Sequence, residues 1–158
     1  MTDFQIETKL ACTRERAWEW ISSVAGIAAE MRPYFRMTVP PGVERLSDLK
    51  IELGKPFLRS RVFLFGFIPL GHWDFTLIAL ELGRGFIEQS PSSVMKSWRH
   101  ERRLLDCPGE PAAVRLSDHL TFEPHLAPGL VGPFIERVFR HRHRVLRARL
   151  ANAAGARS

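Results

Sequence analysis

His100, Arg102 and Asp118 are ionisable residues standing where apolar ones belong, and their spacing brings them to one surface. From Val114 to Glu123 the chain alternates. Val114, Leu116, Leu120 and Phe122 share one parity, and Arg115, Ser117, His119, Thr121 and Glu123 share the other. Asp118 falls on the apolar parity. From Lys96 to Leu104 the same alternation puts Trp98, His100, Arg102 and Leu104 on one side and leaves Arg99, Glu101 and Arg103 as a solvated row. Between the runs, Cys107-Pro108-Gly109-Glu110-Pro111 is a turn-forming cluster that predicts an antiparallel hairpin. Pairing Asp106 with Val114 sets Arg102 opposite Asp118, and a slip of two residues sets His100 there instead. A slip of one would turn an apolar row to water. Buried charges are costly unless paired, so the cluster is either a structural lock or the polar end of a ligand site. An imidazole beside a carboxylate is also the pairing of a general base, with His100 taking the proton and Asp118 setting its tautomer or basicity.

A third side comes from the C-terminal helix, predicted from about Leu130 to Ala153. At 100° per residue, Val131, Phe134, Ile135, Val138, Phe139, Val145, Leu146 and Leu150 cluster on one face, and Arg142 projects into the middle of it. Arg137, Arg140, Arg144 and Arg147 fall on the opposite face; Arg149 shares the inward phase but lies near the chain end. His141 and His143 fall beyond opposite edges of the apolar stripe and cannot jointly grip a metal. Arg142 therefore reads as an ion-pair partner for Asp118 or as a clamp for a ligand anion. One carboxylate cannot neutralise two arginines, so a further anion is expected: Glu30, an unassigned acid or the ligand. Glu30 by itself reads better as a solvated carboxylate.

The remaining elements supply the frame. Phe4, Ile6 and Thr8 alternate with Gln5, Glu7 and Lys9 in a first strand ending near Ala11. Thr13 is the N-cap of a helix, a simple cap because Arg16 stands where a capping box needs Glu or Gln. Ala17, Trp18, Ile21 and Val24 form its inner stripe, Gly26 breaks it, and Ile27 to Met31 read as a second short helix ending before Pro33. Strands follow at about Phe57 to Ile68, His72 to Leu82 and Gly85 to Ser90, while Leu46 to Leu53 carries no clear pattern. His72-Trp73-Asp74 opens a strand apolar on both parities, with Trp73 read as core. Phe63, Phe65 and Phe67 share a parity and are either core or an exposed edge for homodimer formation.

Composition agrees with one domain, 1–153, followed by a short tail, 154–158: 158 residues with 45% hydrophobic and 25% charged side chains fit a single core. No basic region followed by an apolar run opens the chain, and the longest apolar stretch, Val62 to Leu70, is too short to span a bilayer. Cys12 and Cys107 stand in no metal-binding spacing, so neither a metal nor another cofactor is expected, and a reducing cytoplasm is the default location. The net charge of +6 is confined to the C-terminal helix region, where seven arginines from Arg137 to Arg157 face Glu136 alone. Such a face could meet nucleic acid or an acidic membrane. Half of that helix is apolar, however, and its charged side carries no interleaved aromatics, so a solvated face is the better reading and neither nucleic acid nor membrane insertion is expected.

The order strand, two helices, antiparallel strands and final helix, together with Trp98-Arg99-His100-Glu101-Arg102, Leu116-Ser117-Asp118-His119-Leu120-Thr121-Phe122 and Phe139-Arg140-His141-Arg142-His143, resembles the bacterial SRPBCC branch of the START/Bet v 1-like superfamily, the polyketide cyclase/dehydrase-like proteins. Trp18-Glu19-Trp20-Ile21 and Gly85-Phe86-Ile87-Glu88-Gln89-Ser90 extend the resemblance over nearly the whole chain. It implies an α+β helix-grip fold, in which about seven curved antiparallel strands wrap a long C-terminal helix around a cavity. It also implies binding of a hydrophobic small molecule, a lipid, polyketide or aromatic acid-like compound whose polar end could be anionic. Trp98, Leu116, Leu120, Phe122, Val138 and Leu146 would then supply apolar walls, and His100, Arg102, Asp118 and Arg142 the polar cluster. The rival reading is a cyclase or dehydratase, a lyase- or isomerase-type enzyme with His100 as base and Asp118 behind it.

Overall fold

The computed structural model describes residues 1–155. Strand β1 (Thr2–Leu10) leads into helices α1 (Arg14–Ile21) and α2 (Val24–Met31), then β2 (Phe35–Met37), a single 3-10 turn at Leu46–Asp48, strands β3 (Pro56–Leu64), β4 (Ile68–Glu81), β5 (Gly85–Glu88), β6 (Met95–Asp106) and β7 (Val114–Pro124), and helix α3 (Pro128–Gly155). The strands form one antiparallel sheet ordered β1-β7-β6-β5-β4-β3-β2. With α3 packed across it and the two short helices following β1, this is the α+β helix-grip architecture. The helix continues to Gly155, past the start of the expected tail, and residues 156–158 lie outside the described residues.

The β6–β7 hairpin adopts the register that pairs Asp106 with Val114 and Arg102 with Asp118. Alternation excludes the odd registers, because Trp98, His100, Arg102 and Leu104 are buried together with Val114, Leu116, Asp118, Leu120 and Phe122; of the two even registers it leaves open, the structure has the one without the slip. The elements around this hairpin agree with expectation in part. Thr13 caps α1 by accepting from the Arg16 amide at 3.2 Å. Gly26 does not break the helix; it lies inside α2, whose N-cap is Ser23, accepting from the Gly26 amide at 3.0 Å. The chain turns before Ser23, and Gly26 is small so that α2 can lie against the Trp20 carbonyl, which a Cβ there would strike. Strand β2, three residues long, is too short to show an alternation. Phe65 and Gly66, with φ of 53° and 85°, form the β3–β4 loop, so the parity of Phe63 does not carry through to Phe67. Phe63 is half-buried under the Arg36 guanidinium, while Phe65 and Phe67 are exposed.

Two apolar clusters fill the space between sheet and helices. One holds Phe4, Trp73, Trp98, Leu120, Phe122, Ile135 and Phe139; the other holds Leu10, Ala17, Ile21, Leu104, Val114, Leu116, Leu146 and Leu150. His100 and Arg102 on β6, Asp118 on β7, and Arg142 and His143 on α3 lie between them in each element. Among the described residues no helix is long and apolar enough to cross a membrane. Arg137, Arg140, Arg144, Arg147 and Arg149 are all exposed on α3.

Gly85 begins β5 where a Cβ would strike the Arg102 carbonyl, so β5 and β6 can meet at this point only with hydrogen there. Gly85→Ala should cost about 1–3 kcal/mol, as overpacking does, read as a lower denaturation midpoint with an unchanged slope. Wild-type stability in that variant would show that the strands can separate without loss.

Candidate functional site

The polar layer is organised by Asp118, which is fully buried and accepts four hydrogen bonds. Its Oδ1 accepts from His100 Nε2 at 2.7 Å and Arg102 Nε at 2.8 Å, and its Oδ2 from Arg102 Nη2 and His143 Nε2, each at 2.8 Å. The Arg102 contact is the two-pronged geometry that a planar guanidinium makes with a carboxylate. His100 reaches Asp118 diagonally, its own cross-strand neighbour being Leu120. His143 completes the set with Nδ1 2.8 Å from Thr8 Oγ1 on β1, so the tautomer that donates to Asp118 can accept from the threonine hydroxyl.

Glu30 supplies a second anion. It is fully buried on α2, and its Oε1 accepts from Arg102 Nη1 at 3.0 Å and from Arg142 Nε at 3.1 Å, while Oε2 has no hydrogen-bond partner among the described residues. The expectation of a solvated carboxylate is therefore overturned. Glu30 follows Gly26 by four residues and Ile27 by three, so it sits on the inward side of a helix beginning at Val24. Reading Gly26 as a breaker concealed that phase.

A third carboxylate, Glu88 on β5, accepts from Trp73 Nε1 at 2.8 Å and Ser90 Oγ at 2.6 Å, and its Oε2 lies 3.7 Å from His100 Nδ1. The signal for it was slight: Glu88 shares a parity with Phe86 in a strand of four residues.

Burial alone would push the Asp118 carboxyl up, but the charges and hydrogen bonds of Arg102 and His100 outweigh it and hold the group well below the usual carboxylate range. Glu88 is likewise lowered, burial being overcome by His100, Ser90 and Trp73. Burial acts downward on Arg102, where Asp118 and Glu30 reverse it and raise the pKa. Arg142 is lowered, first by burial and then by the Arg102 charge, with Glu30 and Asp118 opposing.

Beside this layer lies a cavity of about 850 Å³ between the sheet, α2 and α3. Its wall is mostly apolar. Trp98, His100, Arg102, Val138 and Arg142 line it, as do Glu88 and Trp73. Of the other residues singled out in the sequence, Asp118 stands behind His100 and Arg102, while Leu120 and Phe122 belong to the apolar cluster that holds Trp98 and Phe139. Leu116 and Leu146 belong to the cluster on the far side of the charged layer. Arg142 makes a single hydrogen bond among the described residues, from Nε to Glu30, and its Cζ lies 4.8 Å from the centre of the Phe139 ring. Trp98 Nε1 is buried with no acceptor.

Residues 8–150 match a family described as a domain of unknown function, DUF8410. The chain belongs to that family. No curated protein matches this DUF8410 sequence. Solved structures share its fold across almost the whole length. A START superfamily protein from Mycobacterium smegmatis has a TM-score of 0.66 at 10% identity, covering 96% of this chain and 98% of that one. An aromatase/cyclase from a Streptomyces species has 0.69 at 11% identity, covering 97% and 95%. A protein from Chromobacterium violaceum has 0.69 at 12% identity, covering 95% and 98%. The DUF8410 chain therefore has the START/Bet v 1-like fold.

Removing the Asp118 charge should unsettle the whole layer. Asp118→Asn leaves Arg102 buried beside Glu30 alone, and breaking one partner of a buried pair costs about 3–5 kcal/mol. The pH dependence has a definite sign. Asp118 and Glu88 have lower pKa values folded than unfolded, so their stabilisation is complete above an unfolded carboxyl pKa of about 4 and fades as pH falls below it. Denaturant midpoints measured from pH 7 to pH 3 should fall for the wild type and follow a shallower course in Asp118→Asn. A variant as stable as wild type at pH 7 would remove Asp118 from this role.

Proposed function

We propose that this protein binds a largely apolar small molecule in the 850 Å³ cavity, with the ligand's polar end held by Arg142, and with His100 and Arg102 beside it in the wall. The observation that carries this reading is Arg142 itself. It is buried and lines the cavity, yet it commits only Nε to a protein acceptor and leaves both terminal nitrogens without one among the described residues. A guanidinium kept only as a lock would be expected to engage its fork as Arg102 does, with all three nitrogens on carboxylates. The cavity's size and its mainly apolar wall with few polar groups match ordinary small-molecule sites. Trp98 and Val138 would form apolar wall. Leu116, Leu120, Phe122, Asp118 and Leu146 would act one layer back, holding the lining residues in place.

The cyclase or dehydratase reading draws support from the aromatase/cyclase that shares the fold, but the site's geometry favours binding. A general base needs a nitrogen free to reach its proton. His100 turns Nε2 to Asp118 at 2.7 Å, as a base with a carboxylate behind it would, but Glu88 Oε2 stands 3.7 Å from its other nitrogen, Nδ1, and competes with a substrate for it.

Arg142→Leu should fold, because Glu30 keeps Arg102, and should lose the ligand. Native mass spectrometry of wild type is expected to show a co-purifying small molecule that is missing from the variant, with thermal denaturation confirming that the variant is folded. An unfolded Arg142→Leu protein would favour the structural lock, and a folded variant retaining the same adduct would move the polar contact elsewhere.

A further inference from the structure

The polar wall of the cavity carries more information than its arginine. Two buried guanidinium groups, Arg102 and Arg142, and the imidazoles of His100 and His143 are faced by three buried carboxylates, Asp118, Glu30 and Glu88. The permanent positive charge of the two arginines, which would call for an anionic ligand, is therefore already met by the chain. Glu88 also lines the cavity, so an arriving carboxylate would meet a like charge in a region of low dielectric constant. Glu30 Oε2 also lacks a partner but stands behind the cavity wall, and Glu88 Oε2 has His100 Nδ1 3.7 Å away; in the wall beside Phe139 the groups without partners are donors, the terminal nitrogens of Arg142 and the Trp98 indole Nε1, which is buried without an acceptor. Both residues pack on Phe139, Trp98 with ring centres 6.3 Å apart and Arg142 with Cζ 4.8 Å from the ring centre. Around them the wall is flat-sided. His100 meets Phe86 and Phe139 edge to face at 5.6 Å and 5.1 Å, and Trp98 meets Trp73 edge to face at 5.0 Å.

We infer that the ligand's polar end is an uncharged, flat carbonyl group, of the aryl ketone or quinone type, accepting from Arg142 between these rings. This rests on the cavity being a ligand site and goes further by assigning the chemistry and the charge of the end that Arg142 holds. A carbonyl oxygen satisfies the open donors without adding a fourth negative charge. A planar group conjugated to a ring gains offset or edge contacts with the surrounding aromatics.

Three head-group probes share one ring system and differ only at this point: 2-acetylnaphthalene, 2-naphthoate and 2-ethylnaphthalene. Isothermal titration of each into the full-length protein at pH 7.5 should show the ketone binding about tenfold or more tightly than the ethyl compound, as expected for a hydrogen bond to a charged donor. The ketone should also bind more tightly than the carboxylate, and its advantage over the ethyl compound should vanish in Arg142→Leu. Tighter or equal binding of the carboxylate would overturn the uncharged assignment while leaving the cavity as a ligand site. Equal binding of ketone and ethyl compound would overturn the role of the carbonyl. Failure of all three probes to bind would remove both this assignment and the binding function on which it rests.

Discussion

The structure depends on keeping one carboxylate ionised where no water reaches it. Asp118 achieves this by saturation, since both oxygens accept two donors and those donors come from β6 and α3. An isolated carboxylate in such a place would cost far more than a domain of this size has in reserve. Four hydrogen bonds and the neighbouring guanidinium offset that cost only while every partner stays in position, so the sheet register and the helix phase are coupled through a single side chain. A neutral layer would tolerate small slips; this one does not.

The same layer divides the interior. Toward one end lie Trp73, Trp98 and Phe139, and toward the other Leu104, Leu116 and Leu146. The second cluster is closed off by α1 and packs as an ordinary core, with Leu116 and Leu146 entirely buried. On the first side the cavity opens beside the layer, so the charges that hold the elements together also present a polar wall to it. Structural lock and ligand-facing surface are thus two sides of one network. Asp118 and His143 serve the first, Arg142 faces the second, and His100 and Arg102 belong to both.

The central hairpin was legible because its physics is local. Alternation over ten residues identifies which side is buried, and the cost of turning an apolar row to water excludes odd slips. Arg142 was legible for a similar reason, standing mid-helix among residues of fixed phase. Elsewhere the pattern was too short or was misread. Strand β2 has three residues and β5 four, which is less than an alternation needs. Glycine weakens helices, so the sequence pattern marks Gly26 as an interruption, whereas tertiary contact with the Trp20 carbonyl requires it and the helix forms around it. The inward phase of Glu30 is hidden with it, so the pattern puts Glu30 in water, while the charge imbalance alone names it among the candidate anions.

Sequence alone determined that Asp118, Arg102, His100 and Arg142 would share an interior, because strand parity and helix phase are properties of neighbouring residues. It also determined that one aspartate could not balance two arginines. Which groups made up the difference was decided only by tertiary structure. Glu30 lies 72 residues from Arg102 and 112 from Arg142, and Glu88 arrives on a separate strand. No local periodicity connects such positions. They meet because α2 folds back against α3 and β5 pairs with β6, and with them in place the two arginines find their carboxylates within the chain.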